Sequence, residues 1–78
     1  MTQFELWLKG CEMNSTALYC LEGDGATGIY KTQQWHFVGN NYCGDSPVYH
    51  VWIDGERKCC ILNYHSAMQV WRNRKGGD

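Results

Sequence analysis

His50 and Cys59 are the two residues whose types and positions come nearest to a reactive pair. Asp54-Gly55 separates two strand-like runs, and Asp-Gly in that position is a strong signal for a two-residue hairpin turn. Counting outward from this turn predicts that His50 faces Cys59 across the hairpin. An imidazole beside a thiol can take its proton and leave a thiolate nucleophile, so a Cys/His thiol enzyme is one hypothesis.

The same two side chains could instead bind zinc, with Cys43 and His36 completing the set of ligands. Cys60 and His65 are further candidates. However, the chain lacks the close-spaced C-x-x-C and H-x-x-x-H units that are typical of zinc sites. In a third interpretation, the cysteine is a small hydrophobe beside a structural histidine. We therefore predict no cofactor, with a zinc-stabilised module as the alternative, and we expect His50 to support the sheet.

Other catalytic patterns are also missing from the sequence. The three serines lie in turn or cap contexts, and none has the flanking glycines of a nucleophile elbow. The glycine-rich segment 22–28 carries two carboxylates and lacks the Lys-Ser/Thr ending of a phosphate-binding loop. The sequence therefore predicts a protein that is not an enzyme.

The elements that must position these residues are mostly short strands separated by glycine-rich segments. Phe4, Leu6 and Leu8 alternate along the chain and predict a first strand. The next apolar run predicts a second strand, with a short helix capped at Asn14 or Ser15 as the alternative. In chain order, we expect strands at 4–8, 16–21 and 29–38, with loops at 22–28 and 39–47.

The hairpin around Asp54-Gly55 is predicted to consist of strands 48–53 and 56–62. Side chains in a strand alternate between two faces, so the hairpin has one face that suits a core better than the other. The predicted core face holds Tyr49, Val51, Ile53, Cys60 and Leu62, and the opposite face holds His50, Trp52, Arg57 and Cys59.

A helix is predicted over 64–74, with Asn63 as its N-cap and Gly76 beyond its end. Four apolar residues at helical spacing form one stripe, and they are Tyr64, Ala67, Met68 and Trp71. Strands followed by such a helix predict an α+β fold, namely a small antiparallel β-sheet of four to five strands with one C-terminal α-helix packed on a face. Residues 1–78 are expected to form a single compact domain.

Composition limits the classes of partner. Seven basic and eight acidic residues give a net charge of −1, which disfavours direct binding to nucleic acid or to an anionic membrane. The N-terminus does not resemble a signal peptide, and no apolar run could span a bilayer. We therefore expect a cytoplasmic protein whose five cysteines are reduced thiols.

Aromatic and arginine residues offer a binding surface instead of a reactive site. Trp35 and Trp71 are predicted in the core, which leaves other aromatic residues as candidates for exposure. Exposed tryptophan, tyrosine and arginine side chains dominate the energetics of many protein interfaces. The predicted partner-binding residues are Trp7, Tyr30, Tyr42, Trp52, Arg57, Arg72 and Arg74.

Ala67, Trp71 and Arg74 reproduce an A-x-x-x-W-x-x-R pattern on the predicted terminal helix. This pattern resembles the last helix of the restriction-alleviation family, which is encoded by phages and prophages. The paired cysteine knuckles of that family are absent here. The resemblance implies a small phage accessory protein that inhibits a bacterial defence protein or nucleoprotein complex by occluding it. A homodimer is a further predicted assembly.

Overall fold

The computed structural model describes residues 2–74, which form two α-helices and six β-strands. None of the helices in this range is long and apolar enough to cross a membrane. The elements in chain order are α1 (Gln3–Met13), β1 (Ala17–Asp24), β2 (Thr27–Gln33), β3 (Trp35–Val38), β4 (Asn41–Gly44), β5 (Val48–Ile53), β6 (Glu56–Ile61) and α2 (Tyr64–Arg72).

The strands form two separate antiparallel sheets. Four of them make the main sheet in the order β1-β2-β5-β6, and β3 pairs with β4 in a second sheet. Helix α2 packs on one face of the main sheet. The predicted α+β class and the C-terminal helix packed on an antiparallel sheet are therefore confirmed.

Helix α2 follows the apolar stripe that the sequence predicts. The side chain of Asn63 accepts a hydrogen bond from the backbone N–H of Ser66 at 2.9 Å, so the predicted N-cap is present. Ala67, Met68 and Trp71 are buried against the sheet, where they meet Ile29 and Val51. Tyr64 is exposed, although its ring contacts that of Tyr49. Gly76 lies outside the described residues.

The predicted first strand at 4–8 is wrong, because these residues belong to helix α1. Thr2 and Glu5 form a capping box in which each side chain accepts a hydrogen bond from the other residue's backbone N–H. The helix buries Phe4 and partly buries Trp7 and Leu8, which are spaced for one helical face. Leu6, which an alternating strand would place beside Phe4, is instead exposed.

Helix α1 covers the second face of the main sheet. Phe4 packs against Tyr30 and Trp52, with ring centres 5.5 Å and 5.3 Å away. The opposite face carries Ile29 and Val51 under α2. The four-stranded sheet therefore lies between two helices, and each face has its own apolar core.

The β5–β6 hairpin has the predicted turn but a shifted register. Trp52 pairs with Arg57 as expected, whereas Val51 pairs with Cys59 and His50 pairs with Cys60. Lys58 is the extra residue of a β-bulge between these pairs.

The bulge exchanges the faces of the residues that follow it. Cys59 packs against the core under α2, although it was predicted on the opposite face. Cys60 and Leu62, predicted to lie on the core face, are both exposed. The predicted pairing of His50 with Cys59 is therefore wrong, because one inserted residue moves every later partner by one position.

The predicted loops at 22–28 and 39–47 contain more strand than expected. The first loop is a tight turn at Gly25-Ala26, with β1 reaching Asp24 and β2 starting at Thr27. The predicted long strand at 29–38 is divided at Gln34, whose carbonyl accepts a hydrogen bond from the backbone N–H of Asp45 at 2.8 Å. Strand β3 then leaves the main sheet and pairs with β4, which lies within the predicted loop 39–47.

Candidate functional site

One face of the β3–β4 hairpin carries three aromatic side chains. Trp35, Phe37 and Tyr42 are 41%, 72% and 62% exposed. The ring of Tyr42 lies 5.4 Å from that of Trp35 and 5.0 Å from that of Phe37, measured between centres. We call strands β3 and β4 with their turn the aromatic hairpin, and these three side chains its aromatic face.

Strand register explains why the three rings share a face. Phe37 pairs directly with Tyr42, and Trp35 pairs with Gly44. Because Trp35 and Phe37 are two residues apart, their side chains point to the same side of the hairpin. Gly44 leaves room for the indole ring, since a Cβ atom there would lie 2.9 Å from a ring carbon of Trp35. The result is a row of three rings in which Tyr42 contacts both Trp35 and Phe37.

Polar contacts hold the base of the aromatic hairpin. The side-chain amide of Gln33 donates a hydrogen bond to the carbonyl of Asp45 at 2.7 Å. His36 Nδ1 lies 3.3 Å from a carboxylate oxygen of Asp45, and Gln34 donates to the hydroxyl of Thr16. These contacts join the hairpin to the main sheet at one end, while its aromatic face has few contacts with the rest of the chain.

The predicted partner-binding residues do not converge on one surface. Tyr42 belongs to the aromatic face, but Tyr30 and Trp52 are buried under α1, so the prediction that these two are exposed is wrong. Trp7 is half-buried on α1. Arg57 is exposed on the α1 side of the sheet. Arg72 and Arg74 are exposed at the end of α2, on the other side of the sheet.

Sequence reasoning missed two members of the aromatic face. Trp35 was predicted in the core and is exposed, and Phe37 was not selected as a partner-binding residue. Gly39-Asn40, a hairpin-turn dipeptide directly after the run that contains both residues, signals the hairpin but not the exposure of its aromatic side chains. Gly39 indeed has a φ of 62°, which glycine adopts without strain.

His50 is buried in the main sheet and contacts neighbouring side chains. It is buried on the α1 side, with its ring centre 4.9 Å from that of Trp7 and its Nε2 atom 2.8 Å from the hydroxyl of Thr32. Burial, helped by the positive charge of Arg57, lowers the pKa of His50 from 6.5 to about 4. An imidazole with this pKa is a weak base, and its Nδ1 atom has no partner among residues 2–74 that would orient it.

The cysteine that pairs with His50 is Cys60, which is exposed, and not Cys59. Cys59 lies on the α2 side of the sheet, so His50 and Cys59 face away from each other. Burial raises the pKa of Cys59, although a backbone hydrogen bond from Val51 opposes the shift. Burial also raises the pKa of Cys11. All five cysteines are free thiols.

The candidate zinc ligands are likewise divided between different places. His50 lies under α1 and Cys59 under α2, whereas His36 and Cys43 pair with each other in the aromatic hairpin. Within the part of the chain that the structure describes, no three His, Cys, Asp or Glu side chains are grouped to hold a metal ion. The four predicted ligands therefore do not form one site.

Comparison of this chain with protein-family models, curated proteins and solved structures found no match. The residues that resemble the restriction-alleviation helix have local structural roles. Ala67 and Trp71 are buried, and the guanidinium of Arg74 lies 3.8 Å from the centre of the Trp71 ring while donating to its backbone carbonyl. The pattern therefore stabilises the end of α2 and its contact with the sheet.

Proposed function

We propose that this protein is a non-enzymatic protein-binding module and that the aromatic face of its β3–β4 hairpin is the contact surface. The observation that carries the proposal is the exposure of Trp35, Phe37 and Tyr42 in one contiguous row. Aromatic side chains supply large contact areas with few rotatable bonds, and tryptophan and tyrosine are enriched in binding hot spots.

The chemistry of this surface favours a protein partner. A partner pocket that covers the row would remove three rings from water, at roughly 25 cal/mol for each Å² of apolar surface. The rings already contact one another, so binding would order few additional rotamers.

For the class of partner we propose a cytoplasmic bacterial defence protein or nucleoprotein complex, which this module would inhibit by occlusion. The support for this finer statement is the resemblance of the terminal helix to proteins encoded by phages. The net charge of −1 favours contact with the protein component of such a complex over contact with its nucleic acid.

The test is capture of a partner from bacterial lysate on tagged protein, with and without nuclease, using the wild-type chain and Tyr42→Ser. We expect one stoichiometric protein that resists nuclease and is lost with Tyr42→Ser. Arg72→Ser is the matched control, because Arg72 is also exposed but lies on α2. Equal capture by Tyr42→Ser and the wild type would reject the aromatic face as the contact surface.

Inhibition assays on the captured partner separate occlusion from catalysis. Occlusion predicts that inhibition rises with the molar ratio and is complete near one protein per partner site. An enzyme would continue to inactivate its target at a small fraction of that ratio. Sustained inactivation at such amounts would contradict the non-enzymatic proposal.

A further inference from the structure

An open groove of about 480 Å³ lies between α1 and the β5–β6 hairpin. Trp52 in its wall pairs with Gly28 near the start of β2, whereas β3 follows the end of β2. The groove therefore lies at the opposite end of the main sheet from the aromatic hairpin. Its lining consists of Gln3, Trp7, Trp52, Glu56, Arg57 and Lys58. We call it the α1 groove.

The α1 groove contains one positive charge without a counter-charge. Lys58 is paired with the carboxylate of Glu56 at 2.7 Å, whereas Arg57 makes no salt bridge within residues 2–74. The guanidinium of Arg57 lies 5.7 Å from the centre of the Trp52 ring. Together with burial, the positive charge of Arg57 lowers the pKa of His50, so this charge also acts on the buried residues beside the groove. An exposed planar fork of this kind can bind carboxylate or phosphate through two hydrogen bonds.

The apolar part of the groove is formed by two indole rings. The centres of the Trp7 and Trp52 rings lie 5.2 Å apart, and the ring planes are inclined by 36°. Trp7 is half-buried and so keeps part of its surface open to the groove. Trp52 is almost fully buried, and its Nε1–H has no acceptor in the described part of the chain.

From these observations we propose that the α1 groove binds a small aromatic anion, consisting of an aromatic ring that carries a carboxylate or phosphate group. The ring lies against Trp7, and the oxyanion accepts hydrogen bonds from the guanidinium of Arg57. Carboxylate and phosphate share this chemistry, and both neutralise the free charge of Arg57. Binding at this site does not depend on the proposed function of the aromatic hairpin.

The test is titration of nitrogen-labelled protein with phenylacetate, phenyl phosphate and phenethylamine, followed through the indole N–H signals in NMR spectra. Phenethylamine has the same ring with a positive charge and is the matched control ligand. We expect one or both anions to shift the signals of Trp7 and Trp52 saturably and to leave that of Trp35 unchanged. The anion with the lower Kd identifies the preferred group.

Variants of the cation complete the test. Arg57→Gln is expected to weaken binding of the preferred anion by about tenfold or more, the effect of losing one charge-assisted bidentate contact. Arg57→Lys keeps the charge without the planar fork and should give an intermediate Kd. Arg72→Gln, which removes an exposed arginine outside the groove, should not change the Kd. The proposal would be overturned if neither anion gave a saturable shift, or if phenethylamine bound as tightly as the preferred anion.

Discussion

Aromatic side chains are buried in the main sheet but exposed on the aromatic hairpin. In the main sheet, Trp52 is 3% exposed and contacts Phe4 and Trp7 beneath α1. In the hairpin, Phe37 and Tyr42 form a cross-strand aromatic contact, but neither α1 nor α2 covers it. The position of a helix, and not the character of the strand, therefore decides whether an aromatic row becomes core or surface.

If the aromatic face is the contact surface that we propose, this difference separates stability from binding. The central strands β2 and β5 are buried against a helix on each face of the main sheet, so their buried side chains contribute to the free energy of unfolding. The aromatic hairpin has two strands and one uncovered face, and an isolated two-stranded hairpin is marginal in water. We expect substitutions in the sheet to change stability, whereas those on the aromatic face should change partner binding.

The largest expected effect comes from Trp52→Ala, which removes an indole from the core under α1. Truncation of a buried aromatic side chain costs about 3–5 kcal/mol through lost burial and the cavity that remains. Urea denaturation of the variant and the wild type measures this difference. Phe37→Ala is the comparison in the hairpin and should cost less than about 1 kcal/mol, as expected for an exposed cross-strand pair. Similar losses in both variants would remove the distinction between the regions.

His50 should make the main sheet sensitive to pH. Its pKa is about 4 in the folded protein and 6.5 as the ordinary value, so the unfolded chain binds the proton more readily between these values. This contribution to stability is complete above pH 6.5 and is lost as the pH falls towards 4. The loss amounts to about 3 kcal/mol at most.

Denaturation midpoints measured across this pH range test the role of His50. His50→Gln should flatten the pH dependence, and His65→Gln, which changes an exposed histidine of α2, is the matched control for loss of an imidazole. A profile that is unchanged by His50→Gln would contradict the assignment of the effect to this buried ring.

Thr2→Ala should have a smaller effect on the same side of the sheet. The substitution removes the hydroxyl that accepts a hydrogen bond from the Glu5 backbone at the start of α1. Loss of an N-cap of this type costs about 1 kcal/mol. Chemical denaturation gives the value directly, and Thr2→Ser is the control because it keeps the capping hydroxyl. A cost shared equally by both variants would show that the cap hydroxyl is not responsible.

Strong local signals predicted part of this fold. Asp54-Gly55 adopts positive φ angles of 52° and 83° and forms the expected hairpin turn. Asn63 and the apolar spacing of Ala67 and Trp71 likewise specified α2. These features depend on residues close together in the chain, which is why the sequence alone was sufficient for them.

The missed features have different physical causes. Phe4 and Leu8 satisfy the spacing of a strand as well as that of a helix, whereas Trp7 and the capping box formed by Thr2 and Glu5 favour the helix. The bulge at Lys58 has no glycine or other signal in the sequence, yet it decides which face Cys59 occupies. The exposure of Trp35 depends on where the helices pack and so requires the tertiary structure.

We propose that the aromatic face binds the partner and that the helix-covered sheet supports the aromatic hairpin. The most direct test measures both the free energy of unfolding and the capture of the lysate partner for Phe37→Ser and Thr2→Ala. We predict that Phe37→Ser loses capture while keeping stability within about 1 kcal/mol of the wild type. Thr2→Ala should lose about 1 kcal/mol and keep full capture. Full capture by Phe37→Ser, or loss of capture by Thr2→Ala, would contradict the claim.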